Sequence, residues 1–402
     1  MDNIFQKSFD SITGADIKNL ISIKYKERQR MEYKKEMYKH TDKDRKEMLR
    51  DISSIANAYG GYLIVGIEAD NNGIPIKPFN INNAEKERDR IEKSCLSNIE
   101  PRVPGLKCKT VTMNSGENVI VVLIPRSLKK PHMVTFSGIN QFWIRHNDKK
   151  LPMTIEEIRD ACISVENIWK DVRQFLDERE IELRKEITVR GGMVIGCAPA
   201  LIREEFIDIK DSSIKDFLID PPNQHKGSYS LSFKLYAVPE AYPEPTLNGL
   251  LITYKDTQEV QLFRNGYYEL RVDRSLVYVK NEVEGNLIYI RGLVEYTVNY
   301  FRALSYLVEK YGIETNLVAF LNLYNVSNIK LKSKLVHPER NIAYYPEKRL
   351  EKTDHLLIPP KQIISFDNPD SIAKSFLEKI WNAFGFEEVP YFKNDKYSPD
   401  DN

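Results

Sequence analysis

Three carboxylates and a lysine in the first part of the chain have types and spacings suited to metal-assisted cleavage of a phosphodiester. Glu27 precedes Glu32 by five residues, Lys34 follows two residues later, and Asp70 comes after a short apolar run. Carboxylate oxygens are preferred ligands of Mg²⁺ or Mn²⁺, and such a metal lowers the pKa of a bound water. A lysine can stabilise the negative charge that develops on the phosphate. We therefore predict that these four residues are catalytic and that Glu27, Glu32 and Asp70 bind Mg²⁺ or Mn²⁺.

The same spacing sets conditions on the backbone. If residues 30–36 form a strand, the side chains of Glu32 and Lys34 lie on one face, because alternate residues of a strand share a face. Glu27 would lie on the opposite face of an unbroken strand, so we expect a bend or a helix-to-strand junction between Glu27 and Glu32. Asp70 follows the next predicted strand, where a short turn can direct its carboxylate to the same edge.

The residues around this group predict a helix followed by a strand. Apolar residues recur at helical spacing over 42–58, Thr41 can cap the first turn, and Gly60-Gly61 ends the helix. Residues 61–67 form a short apolar run that is typical of a buried strand. This helix and strand would place Asp70 close in space to Glu32.

The rest of the chain has a different pattern. Thr154 and Glu157 form a capping box that predicts the start of a helix, and residues 165–187 predict a second, charged helical segment. A stretch rich in strand patterns follows from about 229 to 290, and residues 291–311 predict an amphipathic helix.

Length and composition are those of a protein with more than one domain. The chain has 402 residues, 42% of them hydrophobic, and a net charge of +1. We predict an α+β protein with an N-terminal α/β lobe over 1–164, a helical linker over 165–190, and a separate β-rich α+β domain over 191–402. The last of these would be a sensor or an oligomerisation module.

Several classes of function lack support in the sequence. It has no P-loop, G-x-S-x-G or H-E-x-x-H motif, and its four cysteines are scattered singly, which argues against disulfides and structural zinc. No apolar run reaches membrane-spanning length and no signal-peptide pattern is present, so we expect a cytoplasmic protein with no membrane partner.

Basic residues are concentrated beside the acidic group. Between Lys24 and Arg50, eleven Lys or Arg face six Asp or Glu. A second basic stretch contains Lys129, Lys130, Arg145 and His146, which we predict to contact nucleic acid, because local positive fields attract polyanions. The alternative is that these side chains are ordinary solvated surface charges.

Two other patterns also have a purely structural explanation. Asn57 and Gly60-Gly61 are consistent with helix termination alone. Fifteen of the 22 tyrosines fall between Tyr229 and Tyr345, where sheet and core positions explain most of them. Base stacking or ligand capture by these tyrosines is the less favoured interpretation.

Taken together, these motifs resemble the Schlafen-type domain, also called the AlbA-like nucleic-acid-binding domain. Glu27 and the Glu32-Tyr33-Lys34 element fill its glutamate positions. Ala56–Gly66 matches its A-N-x-x-G-G-x-L-x-x-G signature, and Asp70 follows as its aspartate does. Phe142–His146 resembles its arginine-containing strand. The resemblance covers roughly the first 40% of the chain.

The resemblance implies an activity and partners. It implies a metal-dependent endonuclease, most readily an endoribonuclease acting on tRNA or other structured RNA, with RNA favoured over DNA. It also implies that the C-terminal region senses an unidentified trigger, for example in antiviral defence against phage. Some relatives use two lobes to form a trough, so we expect a homodimer here. The alternatives are a non-catalytic DNA- or RNA-binding transcriptional regulator and an interaction protein whose C-terminal domain carries the function.

Overall fold

The computed structural model describes the chain in two compact units, residues 2–170 and residues 171–402. Both units contain helices and several sheets, which confirms the α+β class. In the part of the chain that is described, no helix is both long and apolar enough to cross a membrane. The description covers all residues except 1–3, 6–8, 139, 148, 189–190, 204, 206, 228, 234–241, 255–256, 274–275, 282–284, 312–315, 334, 337–342, 345, 351–352, 364 and 400–402.

The first unit alternates short strands with three helices before a long fourth helix begins. Its elements, in chain order, are α1 Gly14–Ser22, β1 Met31–Lys34, α2 Asp42–Asn57, β2 Gly61–Val65, β3 Ile67–Ala69, β4 Pro75–Pro78, α3 Ala84–Asn98, β5 Ile99–Glu100, β6 Lys107–Thr112, β7 Asn118–Ile124, β8 Met133–Val134, β9 Gln141–His146, β10 Lys149–Pro152 and α4 Ile155–Glu186. The predicted helix over 42–58 is confirmed as α2, and the Thr41 hydroxyl accepts a hydrogen bond from the Asp44 N–H at its start.

Two four-stranded sheets organise this unit. The first has the order β1-β2-β7-β6, with β1 parallel to β2 and the other neighbours antiparallel. In the β1–β2 register Glu32 lies opposite Leu63. The second sheet has the order β10-β9-β8-β5. Among the described residues, β1 is therefore an edge strand that pairs with the buried strand β2.

Apolar side chains cover both faces of β2. Leu63 and Val65 pack in one cluster with α2 and α3, and Tyr62 and Ile64 pack in a second cluster with α1. Burying side chains of this size stabilises the fold by about 1.5–3 kcal/mol each. A strand covered on both sides must be apolar at every position, which explains the continuous apolar run in the sequence.

The second unit is built around a large antiparallel sheet. Its elements after α4 are β11 Gly192–Pro199, α5 Ser212–Ile219, β12 Glu244–Pro245, β13 Gly249–Tyr254, β14 Gln258–Phe263, β15 Tyr268–Val272, β16 Val277–Asn281, β17 Gly285–Ile288, α6 Ile290–Tyr311, β18 Leu317–Tyr324, β19 Lys330–Lys332, β20 Leu335–Val336, β21 Ala343–Tyr344, β22 Glu347–Arg349, β23 His355–Leu357, β24 Lys361–Ile363, α7 Pro369–Ala383, β25 Phe392–Lys393 and β26 Lys396–Tyr397. The sheet runs β12-β13-β14-β15-β11-β18-β23, and β24 also pairs with β18. Helix α6 confirms the predicted amphipathic helix and buries Leu293, Val298 and Phe301 in the core of this unit.

Helix α4 differs from the two segments that the sequence predicted. The capping box is present, since the Thr154 N–H donates to Glu157 Oε2 and the Glu157 N–H donates to the Thr154 hydroxyl. From there α4 continues without a break to Glu186. The boundary between the units, after residue 170, lies inside α4 and within the predicted linker 165–190.

Candidate functional site

Strand β1 separates apolar from charged side chains. Met31 and Tyr33 are buried in the cluster that includes α1. Glu32 and Lys34 lie on the opposite face, where Lys34 Nζ is 3.5 Å from Asp51 Oδ2 on α2. The prediction that Glu32 and Lys34 share a face of a strand is therefore confirmed.

Glu32 is a buried carboxylate held by two cations. Its side chain is 10% exposed, Oε1 is 2.7 Å from Lys34 Nζ, and Oε2 is 2.5 Å from Arg145 Nη2 on β9. A buried charge needs such partners, because removal from water would otherwise cost several kcal/mol. Burial lowers the pKa of Lys34, but the attraction of Asp51 and then of Glu32 outweighs it and leaves that pKa above its ordinary value. Lys34 therefore stays protonated.

Asp51 extends this charged centre, and the sequence interpretation gave it no role. It lies in the middle of α2, its Oδ1 is 2.6 Å from Lys150 Nζ, and its Oδ2 accepts a hydrogen bond of 2.7 Å from the Tyr38 hydroxyl. Lys150 Nζ is also 2.5 Å from Glu47 Oε1. Asp51 lies next to Ile52 within the apolar face of α2. Because a carboxylate is rarely buried without a partner, this position could have indicated a buried ion pair.

Glu27 lies outside β1, in the bend that the sequence predicted. A backbone bridge between Arg28 and Met31 makes this bend. Glu27 Oε1 accepts a hydrogen bond of 2.8 Å from the Tyr33 N–H. Burial raises the pKa of Glu27 and the charge of Glu32 raises it further, while the Tyr33 N–H and nearby cations offset part of the shift. Glu27 and Glu32 are therefore close enough to repel each other.

Asp70 is exposed and shapes a turn beside Glu27. Its Oδ1 accepts hydrogen bonds from the N–H groups of Asn72 and Ile74, at 2.8 and 2.9 Å. The Gly73 carbonyl in this turn accepts a bond of 2.8 Å from the Glu27 N–H. A Cβ on Gly73 would come within 2.9 Å of Glu27 Oε2. The turn that Asp70 shapes is thus in contact with Glu27, and one of the Asp70 oxygens is used to hold that turn.

An open cleft of about 600 Å³ lies beside Glu27. Residues 25–30 and Asn147 line it, so Lys26, Arg28 and Arg30 supply three cations against the single carboxylate of Glu27. A concave surface with this charge attracts and concentrates anions such as phosphate groups.

The other predicted nucleic-acid contacts lie in different surroundings. Lys129 is exposed and Lys130 is half-buried. Burial lowers the pKa of Lys130, and the neighbouring Arg126 lowers it further. His146 Nε2 is 2.7 Å from Glu157 Oε1 at the start of α4. Of the four predicted residues, Arg145 is the one that the structure brings to Glu32.

The signature residues at the end of α2 do more than terminate a helix. The Asn57 side chain accepts from the His132 N–H at 2.6 Å and donates to the carbonyls of His132 and Trp143 at 2.9 and 2.8 Å. Gly61 has φ +148°, and a Cβ there would come within 2.1 Å of the Arg30 carbonyl oxygen. The signature therefore ties α2 to the second sheet and lets β2 approach the wall of the cleft.

The donor set fits a hard divalent cation in part. Glu27 and Glu32 could supply oxygen ligands, and the charge of a bound cation would offset their mutual repulsion. Each carboxylate offers about four lone-pair directions, so the contacts of Glu32 with Lys34 and Arg145 leave acceptor capacity. Across the described residues, no group of three or more His, Cys, Asp or Glu is arranged to hold a metal. The predicted set Glu27, Glu32 and Asp70 stays a prediction.

An α/β unit with a paired acidic centre and a basic cleft has the character of a nucleic-acid-binding domain. The family comparison agrees with this class: residues 27–154 match the family described as Schlafen, AlbA_2. The matched residues all lie in the first unit, and the match ends before the second unit begins.

Two solved structures are similar to about a third of the chain. One is the solution structure of the N-terminal domain of a RecG-related protein from Nitrosomonas europaea, with 17% identity, 34% of this chain and 88% of that chain covered, and a TM-score of 0.27. The other is the crystal structure of the DIP2311 protein from Corynebacterium diphtheriae, with 20% identity, a TM-score of 0.24 and 35% of this chain covered. The similar region spans 26% of the DIP2311 chain. No curated protein matches this chain.

Proposed function

We propose that the first unit is a metal-dependent endonuclease that cuts structured RNA, with tRNA as the first substrate to examine. The observation that carries this proposal is the position of Glu27. Its carboxylate lies beside Glu32, with Lys34 and Arg145 near, and it opens on a cleft with three cations. Glu27 lines this cleft and Glu32 lies next to Glu27, and two neighbouring carboxylates beside a basic cleft suit metal-assisted phosphodiester hydrolysis.

The residues of this site have distinct tasks in the proposal. Glu27 and Glu32 would hold Mg²⁺ or Mn²⁺, with Asp70 as the further proposed ligand. The bound metal would supply a water of lowered pKa and offset the charge of the phosphate. Lys34, protonated and 30% exposed, would stabilise charge on a phosphate oxygen. The cations of the cleft would hold the RNA backbone and fix its direction.

Substrate and regulation are proposed from the family resemblance. RNA is favoured over duplex DNA, and the second unit would respond to a trigger, for example in anti-phage defence. A homodimer would supply a second lobe for a trough. The cleft supports a polyanionic substrate in general, because its cations would meet phosphates of either nucleic acid.

A non-catalytic nucleic-acid-binding regulator is the second candidate. It is favoured by the two cations that already occupy the oxygens of Glu32 and by the use of Asp70 in a turn. Under this alternative the ion pairs are structural, and the basic cleft alone carries the function.

One experiment separates the two candidates. Wild type, Glu32→Gln and the control Glu36→Gln, which changes an exposed carboxylate of the same segment, are incubated with total tRNA and with single-stranded DNA in Mg²⁺, Mn²⁺ or EDTA. We expect metal-dependent cleavage of tRNA by wild type and the control, and a loss of about 100-fold or more in Glu32→Gln with binding retained. Salt-sensitive binding by all three proteins without cleavage would favour the regulator.

A further inference from the structure

Asp51 is the most buried carboxylate of the charged centre, with a side chain that is 3% exposed. It cannot touch a nucleic acid, and its charge would repel a phosphate. A carboxylate in this position is stable only when cations and hydrogen-bond donors surround it. Its partners are Lys150, Lys34 and the Tyr38 hydroxyl.

These contacts join three elements at one point. Lys34 belongs to β1, Asp51 to α2 and Lys150 to β10. In the β9–β10 hairpin Lys150 lies opposite Arg145, and Arg145 binds Glu32 on β1. Asp51 on α2 and Glu32 on β1 therefore each hold one strand of this hairpin.

The contacts also distinguish two adjacent lysines. Lys150 is 17% exposed and lies between Asp51 and Glu47. Lys149 is exposed, and alternation along β10 places it on the other face of the strand. Lys150 is thus committed to internal ion pairs, and Lys149 is available to a ligand.

We propose that Asp51 is a positioning residue that holds the Lys34 ammonium beside Glu32 and fixes the β9–β10 hairpin against α2, and so sets where RNA phosphates meet the acidic centre. This inference rests on the proposed endonuclease function. Without the Asp51 charge, Lys34 keeps Glu32 as a partner but loses the second anchor that limits where its ammonium can lie. Misplacement of such a group lowers the rate of the chemical step more than it weakens substrate binding.

The test compares full-length wild type with Asp51→Asn and with Glu47→Gln as the matched control. Glu47 lies on the same helix and also binds Lys150, but its side chain is 43% exposed, whereas that of Asp51 is 3% exposed. We expect Asp51→Asn to lower kcat on tRNA by about tenfold or more with KM within about twofold. Glu47→Gln should keep kcat within about twofold. Equal losses in the two variants, or an unchanged kcat in Asp51→Asn, would overturn the proposal.

A second variant separates positioning from folding. Asp51→Asn combined with Lys150→Met removes both members of the buried pair, so the double variant should recover thermal stability relative to Asp51→Asn. Because Lys34 still lacks its anchor, kcat should stay low. Recovery of kcat in the double variant would mean that Asp51 only neutralises Lys150, and the proposal would fail.

A readout that does not need catalysis keeps this inference distinct from the proposed function. In ¹⁵N-lysine spectra, ammonium groups held by carboxylates give observable signals, and those of Lys34 and Lys150 can be assigned with Lys→Arg variants at each position. If wild type cleaves nothing, the endonuclease proposal fails. Loss of the Lys34 signal in Asp51→Asn, with RNA binding within about twofold of wild type, would still support the positioning role. An unchanged Lys34 signal in Asp51→Asn would overturn it.

Discussion

At the scale of single residues, the proposed metal ligand Glu27 lowers the stability of the folded protein. Its pKa is higher in the folded protein than the ordinary value of 4.5, because burial and then Glu32 disfavour the charged form. A raised carboxyl pKa contributes stability at pH below the unfolded value, and this contribution is lost as the pH rises through the folded value. At neutral pH the ionised Glu27 therefore destabilises the fold when no metal is bound.

Glu27→Gln should consequently stabilise the protein at pH 7 in EDTA. The amide oxygen can still accept the Tyr33 N–H bond, so we expect the free energy of unfolding to rise by roughly 0.5–1 kcal/mol. The difference should vanish near about pH 4, where Glu27 is protonated in the folded wild type. Urea unfolding at both pH values measures it, with Glu36→Gln as the exposed control. A Glu27→Gln protein that is less stable than wild type at pH 7 would contradict this account.

Residue types and spacing predicted only part of the site. Glu32 and Lys34 could be placed on one face because the two-residue period of a strand is a local property. Asp51 and Lys150 could not be paired, because their contact joins positions about 100 residues apart through the packing of a hairpin on a helix. Aspartate side chains often accept hydrogen bonds from backbone N–H groups in turns, as Asp70 does. The sequence alone did not decide between this role and metal binding.

At the scale of elements, prediction worked where a pattern was long and periodic. The bounds of α2 and α6 fall within one residue of the predicted 42–58 and 291–311. Strands β5, β8 and β10 of the second sheet are harder to predict, because two to four residues give no clear period and their pairing comes from tertiary contacts. The sequence predicts two segments where the structure has the single helix α4. The charged sequence has no strong periodic apolar face that would have shown the two segments to be continuous.

The start of β2 provides a sharp test of element packing. Gly61→Ala places a Cβ about 2.1 Å from the Arg30 carbonyl oxygen at a φ of +148°, so backbone must move. The matched control is Gly116→Ala, which has φ +97° with nothing within 4 Å of the new Cβ. Both changes carry the strain of positive φ, about 1 kcal/mol, and Gly61→Ala adds a steric term that should bring its total above roughly 3 kcal/mol.

Denaturant unfolding of the two alanine variants measures this difference. If Gly61→Ala loses cooperative unfolding and Gly116→Ala keeps it, the result still supports the close contact between β2 and Arg30. Equal destabilisation of the two variants would show that the close approach of β2 to Arg30 has no energetic importance. Because Arg30 lines the cleft, a folded Gly61→Ala protein should also bind RNA more weakly than Gly116→Ala.

At the scale of the whole molecule, the two units have separate apolar cores. Both clusters of the first unit use residues between Ile4 and Trp143, and the large cluster of the second unit uses residues between Met193 and Tyr397. A unit with its own core can fold as an independent domain. The Schlafen, AlbA_2 match lies wholly within the first of them.

A fragment of residues 1–170 should therefore fold cooperatively and retain the basic cleft. We expect a single unfolding transition for this fragment, two transitions for the full chain, and RNA affinity of the fragment within about tenfold of the full chain at equal salt. Calorimetry and fluorescence anisotropy with labelled tRNA measure these quantities, and the fragment with Arg28→Ala and Arg30→Ala is the control for binding through the cleft. A folded fragment that binds no RNA, beside a full chain that does, would place nucleic-acid recognition in the second unit. It would then favour an interaction or sensor protein over the endonuclease, because the first unit alone carries the acidic centre of Glu27 and Glu32.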